Sequence, residues 1–165
     1  MIVRTSHNGG IKGFLERFKN IGKPKVYVGV PSSANTMHKP LIMYKGKFVP
    51  TKQSISMASL LALHTLGAPS RGIPPRDGLR PPLRENADKY AKTLADGIRK
   101  NLTDGLSMDT VYGKIGNDAM NDVKAYFVSG KFTPLKQSTI DAKGSSAPLI
   151  STGELRNSIS YEVRK

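Results

Sequence analysis

The chain has 165 residues, 26 Lys+Arg against 12 Asp+Glu for a formal charge of +14, and no cysteine, so it is one domain's worth of polypeptide without a disulfide scaffold or a cysteine-based zinc or redox centre. Hydrophobic residues at 38% and charged residues at 23% lie near globular averages, which sets aside disordered and fibrous chains. The charge admits nucleic acid, anionic lipid or an acidic protein face without choosing among them, and the lack of a signal-like or membrane-length apolar run predicts a soluble chain assembled in the cytosol.

Residues 1–24 read as an N-terminal helical segment in which Ile11, Phe14, Leu15 and Phe18 recur at i, i+3, i+4 and i+7 and share one helix face. Val26, Val28 and Val30 then alternate with Tyr27 and Gly29 behind Pro24, the pattern of a half-buried strand over 25–30. Residues 31–54 read as a hairpin and loop insertion, with β-prone runs on either side of Lys45 and Gly46. "SISMASLLALHTLG" predicts a helix capped by Ser54 or Ser56 and ended by Gly67 in the left-handed conformation. Its nearly all-round apolar surface predicts burial.

Pro69, Pro74, Pro75, Pro81 and Pro82 remove backbone donors and bias their predecessors away from helix, so no regular element is expected through the segment before residue 82. From there Leu83, Ala87, Ala91, Leu94, Ile98 and Leu102 form a stripe on one long helix, with Pro82 in its first turn, Glu85 favouring its dipole and Arg84, Lys89, Lys92, Arg99 and Lys100 around its solvated side. A second long helix runs from a cap at Ser107 or Asp109 to Gly130, with Met108, Val111, Ile115, Ala119, Val123 and Tyr126 on its core face. Residues 131–150 read as a flexible connection containing a helical turn at about 135–142. Ser151 and Glu154 have capping-box spacing for a short helix that must stop by about Asn157. Beyond it Ile159, Tyr161 and Val163 alternate with Ser158, Ser160 and Glu162 in a strand whose natural antiparallel partner is 25–30.

Three blocks of this order, "YVGVP" with "YKGKFVP" and "LLALHTLG", then "IPPRDGLRPPL", then "PLKQSTIDAKGSSAPLISTGELRNSISYEV", resemble the tail-completion and neck proteins of tailed bacteriophages, a family that takes in tail-terminator, minor tail and virion-morphogenesis proteins. The resemblance spans roughly residues 25–164 and is most specific in the third block. Thr65 and Leu66 stand where the family carries Glu and an aromatic residue, and Asp77 and Gly78 where it carries Pro-Phe. It implies an α+β fold: one domain over 1–165 with a small, mainly antiparallel sheet, two long helices, short N- and C-terminal helices, an extended Pro/Arg loop and a hairpin. It marks Gly67, Pro148, Leu149, Thr152, Gly153, Leu155, Ser158 and Ile159 as structural signature positions. It further implies a structural virion protein, assembled in the host cytoplasm, that forms a ring with itself at the head–tail junction, six subunits being the family's usual number. Such a ring joins a head-connector or stopper protein to tail-tube or tail proteins and surrounds the DNA passage, with no membrane partner.

The loop residues Arg71, Pro74, Pro75, Arg76, Arg80 and Arg84 are the expected contact surface with these partners, because prolines pre-order a loop and arginine forks meet carboxylates at two points. The plain alternative is a solvated connection. His7, His38 and His64 lack metal-ligand spacing, the Gly pairs lack a phosphate-loop context, and no nucleophile–base set emerges. The expectation is therefore no enzyme, cofactor or metal. A non-sequence-specific nucleic-acid-binding module is the alternative function, because the charge attracts phosphate but no base-reading helix is evident, and contact with genomic DNA in the ring lumen is compatible with either.

Overall fold

In the computed structural model, which describes residues 10–44, 47–143, 146–149 and 153–165, the longest apolar repeat of the sequence becomes the spine of the molecule. The elements in chain order are α1 (Gly10–Asn20), β1 (Lys25–Gly29), β2 (Met37–His38), β3 (Leu41–Tyr44), β4 (Lys47–Pro50), β5 (Ile55–Ser56), α2 (Met57–Leu66), α3 (Arg80–Glu85), α4 (Ala87–Asp104), α5 (Met108–Val128), α6 (Gln137–Lys143), α7 (Glu154–Ser158) and β6 (Ser160–Arg164). The fold is α+β, and its antiparallel strands pair two by two as β1–β6, β2–β5 and β3–β4. In the first ladder Val26 stands opposite Val163 and Val28 opposite Tyr161, so the two alternating patterns place like faces together. That ladder lies on α5.

α5 buries Met108, Val111, Gly116, Ala119, Val123 and Phe127, and Ser107 caps it by accepting from the Asp109 N–H at 3.2 Å. Two glycines set how closely neighbours approach. A Cβ on Gly116 would stand 2.7 Å from Tyr161 Cε2, and one on Gly97 of α4 would stand 2.7 Å from Val111 Cγ2. Polar contacts then clamp α4 to α5: the Tyr90 hydroxyl donates to Asp122 at 2.7 Å and Lys89 reaches the same carboxylate at 2.8 Å. Burial, reinforced by that carboxylate, raises the Tyr90 pKa well above its ordinary value, so it remains a donor. The central core joins Met57 and Leu61 of α2, Val123 and Phe127 of α5, Leu155 of α7 and Ile159, with Val28, Leu79, Leu83 and Leu149 packed around it. The three sequence blocks quoted above thus meet in one cluster.

Several expectations are corrected by the backbone. The helix expected from residue 82 starts at Arg80 and is interrupted at Asn86, which has φ −104 and ψ 12 and donates its side-chain N–H to the Pro82 carbonyl at 2.9 Å. The interruption turns the intended stripe, leaving Ala87 and Ala91 exposed while Gly97 and Asn101 are buried. On α5 Phe127, rather than Tyr126, continues the core line; Tyr126 meets Phe132 edge-on at 5.3 Å instead. α2 is capped by Ser56, which accepts from the Ser59 N–H at 3.1 Å, but it is covered on one side only, so Leu66 stays 71% exposed. Gly153, at φ 79, stands at the N-cap of α7; Ser151 and Thr152, like Lys45 and Gly46 of the hairpin turn and residues 144–145 of the connection, lie outside the described residues.

The close approach at Gly116 reverses the usual effect of replacing a helical glycine. Gly113 has only the Tyr161 hydroxyl oxygen near its would-be Cβ, at 4.0 Å, so Gly113→Ala is expected to stabilise the protein by up to about 1 kcal/mol through helix propensity. Gly116→Ala is expected to destabilise it by about 1–3 kcal/mol because Tyr161 must shift. Urea denaturation of the two variants reads both signs; stabilisation by both would show that the strand does not rest on this helix.

Candidate interaction surface

The Pro/Arg segment is a braced structure. Gly67 leaves α2 at φ 73 and ψ −179, extended with positive φ rather than left-handed helical as expected. A Cβ there would stand 2.7 Å from the Pro75 nitrogen and 2.9 Å from the Ile73 carbonyl oxygen, so only glycine fits. Ala68 and Ile73 then exchange backbone hydrogen bonds at 2.9 and 3.1 Å across a 3-10 turn at Pro69–Arg71, and the Arg76 N–H donates to the His64 carbonyl at 2.6 Å. Gly78 lies directly beneath the Phe127 ring.

Arg76 does not reach outward as expected. It is only 8% exposed, and its Nε and Nη2 donate to the carbonyls of Thr133 at 2.8 Å and Pro134 at 3.1 Å. Burial lowers its pKa from the ordinary arginine value. Its work is to tie the loop to the segment after α5 through the Thr133 and Pro134 carbonyls. Asp77 turns the chain into α3 by accepting from the N–H groups of Leu79 at 3.0 Å and Arg80 at 3.1 Å, and its carboxylate pairs with the Arg80 guanidinium. Desolvation pushes Asp77 upward, but the Arg80 and Leu79 amides and the Arg80 charge together hold its pKa below the ordinary aspartate value.

Of the remaining loop residues, Arg80 and Arg84 are exposed and one turn apart on α3, Pro75 is exposed and Pro74 half-buried. Only the backbone of Arg71 is described. The signature positions gather inward: Leu155 is 5% and Ile159 0% exposed, Ser158 is buried and donates its hydroxyl to the Leu155 carbonyl at 2.8 Å, and Pro148 and Leu149 are half-buried.

A second surface lies on α1. Ile11 is 80% and Phe18 62% exposed, with Phe14 at 44% and Leu15 at 48%. The helix rests on the body through its other side, where Gly13 and Arg17 are half-buried, and the Tyr112 hydroxyl donates to the Ile21 carbonyl at 2.7 Å. Periodicity placed the four apolar residues on one face but carried no signal that the face is turned to solvent. Among the described residues no group of three His, Cys, Asp or Glu is placed to hold a metal ion, and no helix is long and apolar enough to cross a membrane. No protein-family model, curated protein or solved structure matches this chain.

Arg76→Ala is expected to cost about 1–3 kcal/mol, because a buried side chain and its two hydrogen bonds are lost, whereas Arg84→Ala should change stability by less than about 0.5 kcal/mol; chemical denaturation distinguishes the two. Acid titration supplies a second check on Asp77. Because its folded pKa is depressed, its contribution is complete above the unfolded value of about 3.9 and disappears as pH falls through the lower folded value. Asp77→Asn should therefore flatten the acid limb of the stability profile, and an unchanged limb would remove Asp77 from the account.

Proposed function

We propose that the chain is a structural subunit of a tailed-bacteriophage virion, a tail-completion or neck protein that forms a ring with copies of itself at the head–tail junction and joins the head connector to the tail. The observation that carries self-assembly is α1, whose apolar face of two phenylalanines, an isoleucine and a leucine is turned away from its own core. Contiguous apolar surface of this kind is costly in water and characteristic of contact surfaces. Heterologous contacts between identical subunits generate rings when the rotation closes. Support for the family comes from the convergence of the three resembling blocks in one core, which leaves Arg80 and Arg84 outward on α3 to meet acidic faces of neighbouring proteins. The +14 charge keeps unassembled subunits apart and offers non-specific attraction to DNA in the lumen.

Light-scattering mass measurements across concentration, with electron micrographs of the same samples, test this reading. Wild type should form closed rings, and salt should promote assembly by screening like charge while apolar contacts persist. A Phe14→Ser/Phe18→Ser double variant should remain folded and associate at least tenfold more weakly. A wild-type monomer under all conditions, including with head-connector and tail proteins present, would overturn the proposal. Duplex DNA binding that weakens with salt, without rings, would favour the nucleic-acid module instead.

A further inference from the structure

Between α2, α6 and α7 lies a cavity of about 230 Å³, away from α1. Met57, Leu60, Leu135, Leu149 and Leu155 supply apolar walls. Leu149 holds φ 61, an unusual conformation for a branched apolar residue, at the edge of this space. Strained backbone of this type concentrates at ligand sites.

Arg76 and Glu154 are the charged side chains of the cavity lining, which also includes His38 and His64. Arg76 lines it, and with Nε and Nη2 committed to backbone carbonyls, Nη1 has no hydrogen-bond partner among the described residues. Nor does any described carboxylate lie within ion-pair distance of this guanidinium, although Arg76 is 8% exposed. Glu154 also borders the cavity, but its carboxylate is half exposed and engages His38 Nδ1 at 2.7 Å. Its ion pair is with His38 and not with Arg76. A largely buried cation whose one free donor edge is open to the cavity suits an anion, and arginine is the side chain best shaped to bind a carboxylate.

We propose that this cavity binds a monocarboxylate with an apolar tail, its carboxylate on the Nη1 edge of Arg76 and its tail against the leucines. The cavity has room for a short apolar tail. A phosphate would set three acceptor oxygens and nearly two charges against leucine side chains, which cannot satisfy them. The same chemistry is offered by a free short-chain carboxylate or by the C-terminal residue of a protein chain ending in an apolar side chain.

Titration calorimetry of the full chain with hexanoate, hexanamide, an acetylated tripeptide ending in Leu with a free carboxylate, and its C-terminal amide tests the site. At least one acid should bind saturably, with its amide at least tenfold weaker. Binding by hexanoate points to a small molecule and binding by the peptide alone to a chain end. Arg76→Met should weaken binding of the acid at least tenfold. Because that variant also loses the brace to Thr133 and Pro134, Thr139→Trp on the exposed side of α6 serves as the second variant; it fills the cavity from the surface and should abolish binding with the fold intact. Absence of saturable binding by both acids, equal binding of acid and amide, or binding unchanged in Thr139→Trp would overturn the proposal.

Discussion

The structure depends on the contact between the C-terminal strand and the long helix beneath it. Ile159 and Val123 are both fully buried, and the Tyr161 ring lies against the backbone of α5 because Gly116 has no side chain to hold it off. Once β6 is seated there, β1 is placed by its antiparallel register, and α7 carries Leu155 into the cluster that also receives Met57 and Leu61. Two strands of five residues, separated by most of the chain, close the fold. Such distant pairing makes chain-closure entropy a large part of the folding barrier, whereas α4 and α5 can form from local contacts.

Much of this was legible in the sequence because it rests on alternation, capping and the glycines that end helices. The β1–β6 pairing follows from two matching period-2 runs, and polar residues before apolar stretches narrow the caps to Ser54 or Ser56 and to Ser107 or Asp109, of which the structure uses Ser56 and Ser107. Other features depend on atoms far away in sequence. Arginines in a loop are usually solvated, which makes Arg76 a surface arm on sequence grounds, yet carbonyls 57 and 58 residues onward accept from it. The break at Asn86 is a local hydrogen-bond choice that no apolar repeat records. Phe127 displaces Tyr126 from the expected line because both are aromatic neighbours near one helix end; both rings meet Phe132, and it is the contact of Phe127 with Gly78 that separates them. The α1 stripe was visible as a pattern, but a pattern identifies a shared face and not its direction.

The resulting molecule separates two kinds of surface. Its body is braced by Arg76, by the Asp77 turn into α3 and by the Tyr90–Asp122 clamp, so the outward side chains are presented from fixed positions. On α1 the presented chemistry is apolar; on α3 it is cationic. An apolar face drives association, while exposed arginines govern encounter and partner choice. Under the proposed assembly, the high net charge would oppose premature contact through the uncovered apolar helix, because like-charged copies repel.

Hydrogen exchange at the amides of residues 10–21, compared between dilute subunits and the particle that the proposal expects them to form, tests the proposed assembly through α1 most directly. α1 has little of its own core to protect it in the subunit, so its amides should exchange rapidly there and slow by at least tenfold in the particle, together with loss of solvent access at Phe14 and Phe18. Exchange in α1 that is equally fast in both states would show that the outward face is left uncovered, and would contradict assembly through this helix.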